Sequence, residues 1–212
     1  MAANKPWQQG VQGRRPAGVQ KRRRVLIVCE DSKSARYYFE GFRVDPQRAE
    51  VRTVGAGMNT DSLVEKARDL KNQAVREGEP CNEVWCVFDR DSFPLQNYAR
   101  AFQLARDSGI KVAWANEAFE IWYLLHFNYH DTGISRHDYQ AKLKPHLDYD
   151  KADKTVYQQV KPHQETALRN ARRLKRHWNE MGEKFPERQN PSTSVHKLVE
   201  FLNDLAELGG VD

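Results

Sequence analysis

Three carboxylates that follow apolar segments are the first candidates for chemistry. Glu30 comes directly after the apolar run at 25–29, and Asp89 and Asp91 follow the apolar run at 84–88. Carboxylates crowded together repel one another, and a divalent cation removes that cost. Oxygen ligands without a nearby histidine or cysteine favour a hard ion, Mg²⁺ or Mn²⁺. We therefore predict a metal site formed by Glu30, Asp89 and Asp91.

Strands buried on both faces must position these acids, because both runs are continuously apolar rather than alternating. The sequence predicts two further strands at 50–54 and 110–114, with helices between successive strands. This order predicts an α/β fold with an open, mostly parallel four-stranded sheet flanked by helices. The carboxyl ends of such strands share one crevice in which ligands bind. If the first and third strands are neighbours, the three carboxylates converge there.

Charge and composition predict three regions. Residues 1–24 contain seven of the 34 Lys and Arg residues and no acid, which leaves 27 cations against 29 acids in the other 188 residues. We predict a basic, disordered arm at 1–22, which either contacts nucleic acid or only solubilises the chain. An α/β domain at 23–130 is followed by a helical extension at 131–212 that packs on the same domain. Helices are expected near 135–147, 163–181 and 194–207.

Hydropathy and cysteine spacing argue against a membrane-spanning, a zinc-binding or a disulfide-rich protein. No apolar run approaches the ~20 residues needed to cross a bilayer, and the N-terminus lacks the apolar core of a signal peptide. We therefore expect a cytoplasmic protein that does not associate with membranes. Cys29, Cys81 and Cys86 form no C-x-x-C pair, so we predict three reduced, structural thiols.

Three further residues have both a functional and a structural interpretation. Glu120 lies early in a predicted helix after the fourth strand, where its carboxylate either joins the metal site or only benefits from the helix dipole. Lys33 lies in the first turn of the first helix, where it either meets a phosphate or stays solvated. His126 is six residues beyond Glu120 and does not share its helix face, so we predict a packed structural histidine.

The predicted helix at 163–181 concentrates positive charge. Its cations are Arg169, Arg172, Arg173, Lys175, Arg176 and His177. Glu165, Glu180 and Glu183 offset part of this charge. The helix is therefore either an ordinary solvated surface or a nucleic-acid-binding surface that contacts phosphates.

Four segments, in this order, resemble the RloB-like proteins: VLIVCE at 25–30, YYF at 37–39, FDRD at 88–91 and NEAFEIWYLLHF at 116–127. The resemblance covers about residues 23–205. It implies a Toprim-like fold, the metal-binding module of topoisomerases, primases and OLD-type nucleases. It also implies a role in bacterial restriction or other anti-phage defence, and so partner proteins of a defence system.

The resemblance also implies roles for individual residues. Glu30 would be a general acid/base or a metal ligand, Asp89 and Asp91 would bind Mg²⁺, and Glu120 would join them. At two positions the sequence differs from these families, which restricts the metal site that the resemblance implies. Asp31 follows Glu30 where many Toprim proteins have glycine, and position 34 is a serine where OLD-type nucleases carry a further acid on the first helix. We therefore expect one firmly held ion rather than two.

The leading functional hypothesis is a metal-dependent nuclease that hydrolyses phosphodiesters of DNA or RNA. One alternative is a non-catalytic Toprim-like subunit that binds nucleic acid or assembles a complex. A second is a haloacid-dehalogenase-like phosphatase, with Asp89 as the nucleophile and Asp91 as the acid/base. Placement of the D-x-D motif on the third predicted strand, followed by Ser92 and Phe93, argues against the phosphatase.

Overall fold

The computed structural model of the protein describes residues 22–31, 33–47, 49–58, 60–90 and 95–207. The strands within these residues are β1 (Arg23–Cys29), β2 (Ala49–Gly55), β3 (Glu83–Asp89), β4 (Lys111–Asn116) and β5 (Ser192–Thr193). The α-helices are α1 (Ser34–Glu40), α2 (Thr60–Arg76), α3 (Leu95–Asp107), α4 (Glu120–Phe127), α5 (Tyr139–Leu143), α6 (Val156–Val160), α7 (Gln164–Glu180) and α8 (Val195–Glu207). The α/β class predicted from the sequence is confirmed.

The sheet has five strands in the order β2-β1-β3-β4-β5. Strands β1 to β4 are parallel, and β5 runs antiparallel to β4, with Thr193 opposite Ala115 and Ser192 opposite Asn116. The prediction of four strands was therefore wrong by one edge strand, which forms in a segment for which no strand was predicted. Two residues are too few to show an apolar period, so only the pairing with β4 reveals the strand.

Helices cover both faces of the sheet, which explains why the central strands are continuously apolar. Alternate residues of β1 and β3 point to opposite faces. Ile27 and Val87 pack with α1, α4, α7 and α8 in one core, whereas Val28 and Phe88 pack with α2 and α3 in the other. Burial on both faces is the arrangement that the runs at 25–29 and 84–88 predicted.

Helix α1 begins at Ser34 and is capped by Asp31. The carboxylate of Asp31 accepts hydrogen bonds from the backbone N–H groups of Lys33 (2.8 Å) and Ser34 (3.2 Å). Asp31 therefore has a structural role, since its carboxylate satisfies donors at the start of the helix.

The helical extension is more broken than its sequence predicted. The helix expected at 135–147 is confined to Tyr139–Leu143, and Val156–Val160 adds a helix that the sequence did not indicate. Helices of five residues are too short to show a 3.6-residue apolar period. The helices expected at 163–181 and 194–207 are confirmed within two residues.

The last arginines of the basic segment belong to the folded domain. Arg24 pairs with Glu79 (2.8 Å) and Glu50 (3.5 Å), and Arg22 lies 3.7 Å from Glu50. Their charges are therefore partly offset within the domain. The rest of the predicted arm, residues 1–21, lies outside the described residues.

The structure bears on the cysteines and on possible membrane spans among the described residues. Cys29, Cys81 and Cys86 are free thiols, and burial raises the pKa of each above its usual value. A reactive thiolate is therefore disfavoured. Among the described helices, none is long and apolar enough to span a membrane.

Candidate active site

The candidate site lies at the point where the strand order of the sheet reverses. Strands β1 and β3 are hydrogen-bonded neighbours, although β2 lies between them in the sequence. The chain leaves β1 towards α1 on one face and leaves β3 towards α3 on the other. The two exits open a crevice at the carboxyl ends, which is where parallel sheets bind ligands. Glu30 and Asp89 lie at the two sides of this crevice.

The carboxylate of Glu30 is held across the crevice. One of its oxygens accepts a hydrogen bond from the backbone N–H of Asp89 at 3.0 Å, and the other accepts from the hydroxyl of Thr60 at 3.4 Å. Thr60 is the first residue of α2, so three elements meet at this side chain. Glu30 is therefore oriented by the fold itself.

Asp89 lies in a strongly anionic environment. Burial raises the pKa of its carboxyl well above the usual value, and the charges of Glu120 and Glu30 raise it further. A hydrogen bond to the backbone of Phe119 acts in the opposite direction, and the charge of Asp31 adds a smaller increase. Asp89, Glu120 and Glu30 are therefore close enough to interact electrostatically, and a cation between them would relieve the repulsion.

Glu120 is a buried acid at the start of α4. Only 4% of the residue is exposed. Its carboxylate accepts a hydrogen bond from the hydroxyl of Tyr149 at 2.5 Å and lies 3.4 Å from the ammonium group of Lys151. The hydroxyl of Tyr149 also lies 3.0 Å from that of Ser34. A polar chain thus connects α4 to the first turn of α1.

A cavity of about 420 Å³ opens beside Glu120. Tyr139 and Tyr149 line it together with three basic side chains, Arg136, His137 and Lys151. Burial and the charge of Glu120 raise the pKa of both tyrosines, so their hydroxyls remain protonated donors. Asp150 lines the cavity as well, so two acids and three basic side chains meet there.

The described acids fit a hard divalent ion in chemistry but do not complete its coordination. Glu30, Asp89 and Glu120 offer only oxygen ligands, as Mg²⁺ and Mn²⁺ prefer. Within the described ranges, however, no three histidine, cysteine or acidic side chains form a group that could hold a metal ion. The third predicted ligand, Asp91, lies outside the described residues. Of the predicted set, only Glu30 and Asp89 belong to the described residues, so the metal site stays a prediction.

The predicted nucleic-acid-binding residues lie on two separate surfaces. Lys33 is exposed at the start of α1, next to the crevice. The exposed face of α7 carries the other cations, and most of them contact neighbouring side chains. Arg172 pairs with Glu200 at 2.8 Å, the guanidinium of Arg173 lies 3.7 Å from the ring centroid of Tyr129, and Arg169 donates to Thr166 at 3.2 Å.

Exposed arginines with single contacts retain free donors, because each guanidinium carries five N–H groups. Arg176 is also exposed on this face. The α7 surface is therefore compatible with both interpretations that the sequence left open, a solvated face and a phosphate-contacting one.

Two residues of the α4 region have structural roles. His126 is 1% exposed, and its Nδ1 donates to the carbonyl of Trp122 at 2.8 Å, as expected for a packed histidine. Burial lowers its pKa to about 4, so it is neutral. Asn116, the last residue of β4, donates from its side chain to the carbonyl of Pro186 at 3.1 Å. That contact joins β4 to a loop 70 residues later.

The sequence did not indicate Thr60, Tyr149 or Lys151 as site residues. Asn59, Thr60 and Asp61 form a polar stretch typical of a helix start, and this signal could have placed Thr60 at the beginning of α2. Tyr149 and Lys151 lie in a polar stretch without apolar periodicity, between α5 and α6. Only the folding of this stretch across α4 brings them to Glu120.

Fold and site thus define an α/β protein with an acidic crevice at the switch point of a mostly parallel sheet. A family model for RloB-like proteins matches residues 25–202, and the chain belongs to the RloB-like protein family. Searches of curated proteins and of solved structures found no significant match.

Proposed function

We propose that this RloB-like protein is a metal-dependent nuclease with a Toprim-like fold that acts on DNA or RNA. We further propose that it works in the cytoplasm in anti-phage defence, together with partner proteins. One observation carries the enzymatic part of the proposal. Glu30 and Asp89 end neighbouring parallel strands at the switch point, with the buried Glu120 close enough to raise the pKa of Asp89.

The side chains of the site would bind the metal ion, accept a proton and attract the phosphate. Asp89, with Asp91 and Glu30, would hold one Mg²⁺ or Mn²⁺ ion. Such an ion stabilises negative charge on a phosphodiester and lowers the pKa of a coordinated water. Glu30 is fixed by the Asp89 backbone and Thr60, so its carboxylate is pre-oriented to accept a proton. Lys151, 3.4 Å from Glu120, and the exposed Lys33 at the start of α1 would attract the phosphate.

Cleavage of plasmid DNA and of labelled RNA with Mn²⁺, Mg²⁺ or EDTA tests this proposal. We expect metal-dependent cleavage that falls by about 10²-fold or more in Asp89→Asn, because a charged ligand is lost. Asp69→Asn changes an exposed acid of α2 by the same chemistry and should cleave like the wild type. Metal-dependent cleavage that survives Asp89→Asn would refute the site.

A second candidate function is a non-catalytic subunit that keeps this fold and binds nucleic acid. The contacts of Glu120 favour it, because an acid already bonded to Tyr149 and Lys151 is stabilised without a metal. This alternative predicts salt-sensitive binding of DNA or RNA and no cleavage with any metal. A cleavage assay with binding measured in parallel separates the two functions.

A further inference from the structure

A second cavity, of about 250 Å³, lies at the edge of the sheet beyond β4 and β5. Three lysines from different elements line it: Lys175 of α7, Lys184 of the following loop and Lys197 of α8. None of the described residues that line it is an acid. We name this cavity, defined by the three lysines, the lysine pocket. A concave surface that carries cations and no acid suits an anion.

The ammonium groups of the three lysines have no acidic partner among the described residues that line the pocket. The pKa of Lys197 is lowered by partial desolvation and by the charge of Lys175, so these two ammonium groups repel one another across the pocket. Glu200 is the nearby acid that opposes this shift, and it is already paired with Arg172 at 2.8 Å. An anion in the pocket would remove the repulsion.

The other wall of the lysine pocket is rigid and polar. The hydroxyl of Thr193 donates to the carbonyl of Trp114 (2.9 Å) and accepts the N–H of Val195 (3.1 Å) at the start of α8. Ser194 accepts the N–H of Trp114 (3.0 Å). These hydrogen bonds occupy the two hydroxyl groups and hold this wall in position. A ligand would therefore contact the lysines and Asn179, which also lines the pocket.

The position of the pocket connects it to the candidate active site. Pro186 lines the pocket and accepts the hydrogen bond of Asn116, the last residue of β4. Asn116 follows Ala115, which is the register partner of Asp89. On the other side, Lys175 continues the α7 surface between Arg172 and Arg176. The pocket therefore adjoins both the α7 helix that carries the exposed cations and the strand that pairs with the end of β3.

We propose that the lysine pocket binds one backbone phosphate of a nucleic-acid strand. This proposal deepens the proposed function and rests on its assignment of a nucleic-acid substrate. Lysine ammonium groups bind phosphate as point charges and impose no base preference. A strand that crosses the α7 surface would be anchored in the pocket on its way to the crevice.

Binding without turnover tests the proposal. Fluorescence anisotropy with a labelled single-stranded oligonucleotide in EDTA would be measured at several salt concentrations. We expect the double substitution Lys184→Gln and Lys197→Gln to weaken binding about tenfold at low salt. The slope of log K against log salt should fall by about 0.7, the value for one lost phosphate contact on a single strand.

The matched control removes the same two charges elsewhere. Lys66→Gln with Arg106→Gln changes exposed residues of α2 and α3, on the other face of the sheet, and should lower affinity by less than about threefold. All four residues are exposed, so the unfolding midpoints should match that of the wild type. Equal binding by the two double variants would overturn the proposal.

Titration with inorganic phosphate and with a mononucleotide, followed by amide NMR shifts of Thr193 and Lys197, separates the sources of the phosphate. Saturable shifts with these small ligands, together with unchanged oligonucleotide affinity in the Lys184→Gln and Lys197→Gln variant, would refute the nucleic-acid strand as the ligand. The ligand would then be a small phosphate ester. None of these measurements requires cleavage. A protein that binds the oligonucleotide through the lysine pocket but never cleaves it would therefore refute the proposed nuclease activity and leave the proposed phosphate site standing.

Discussion

The carboxylate of Glu30 accepts the backbone N–H of Asp89 at 3.0 Å, although 59 residues separate the two in the sequence. This bond joins the ends of β1 and β3, whose register places Cys29 beside Val87. The acid at the end of one strand is thus oriented by the backbone that carries the next acid. A change at either position therefore affects the geometry of both.

Divalent metal should stabilise the protein through the predicted ligands. We expect Mn²⁺ at 100 times its Kd to add about 2.7 kcal/mol to the free energy of unfolding, because the ion binds only the folded site. Thermal unfolding with Mn²⁺ and with EDTA measures this. Asp89→Asn and Asp91→Asn should lose the shift while Asp69→Asn retains it. A full shift in the Asp91 variant would remove that residue from the site.

Asp89→Asn should stabilise the metal-free protein near neutral pH. The pKa of Asp89 is raised in the folded state by burial and by Glu120 and Glu30, so the folded protein holds this proton more tightly than the unfolded chain. Wild-type stability from this group is therefore present below about pH 4 and declines as the pH rises through the raised pKa.

Asparagine has no such titration and still offers an oxygen to the Phe119 amide. Urea unfolding in EDTA at several pH values should show the variant more stable near pH 7 and equal to the wild type near pH 3. A variant less stable than the wild type at pH 7 would contradict the repulsion among these acids.

Glu120 and Tyr149 should be energetically coupled. The hydroxyl of Tyr149 donates to the buried carboxylate, and hydrogen bonds to charged groups contribute about 1.5–3 kcal/mol. Unfolding of Glu120→Gln, Tyr149→Phe and the double variant gives the coupling energy. We expect about 1 kcal/mol or more, and additive effects would show that the contact does not stabilise the fold.

His126 should make the protein sensitive to mild acid. Burial lowers its pKa to about 4, against about 6.5 in the unfolded chain, so only the unfolded state takes up a proton between these values. This group's contribution is complete above pH 6.5 and falls by about 3 kcal/mol as the pH drops to 4.

The stability profile of His126→Gln should be flatter over this range than that of the wild type. His137→Gln, at an exposed position, serves as the control and should retain the wild-type profile. A profile that is unchanged in His126→Gln would show that another group causes the acid sensitivity.

Much of the sheet could be predicted because its strands are marked locally. The runs at 25–29 and 84–88 are apolar at every position, which only strands buried on both faces require. Strand β5 and the short helices α5 and α6 carry no such signal. Their conformations depend on partners distant in the sequence, such as Ala115 and Asn116 for β5.

The candidate site divides in the same way. By itself, the sequence determined that Glu30 and Asp89 end buried strands, since the apolar runs stop at those acids. Only the tertiary structure decided that these strands are neighbours, that Glu120 is buried beside them and that Tyr149 and Lys151 contact it. The reason is physical: strand ends are encoded by local hydrophobicity, whereas strand order and the path of a polar segment follow from packing across the whole chain.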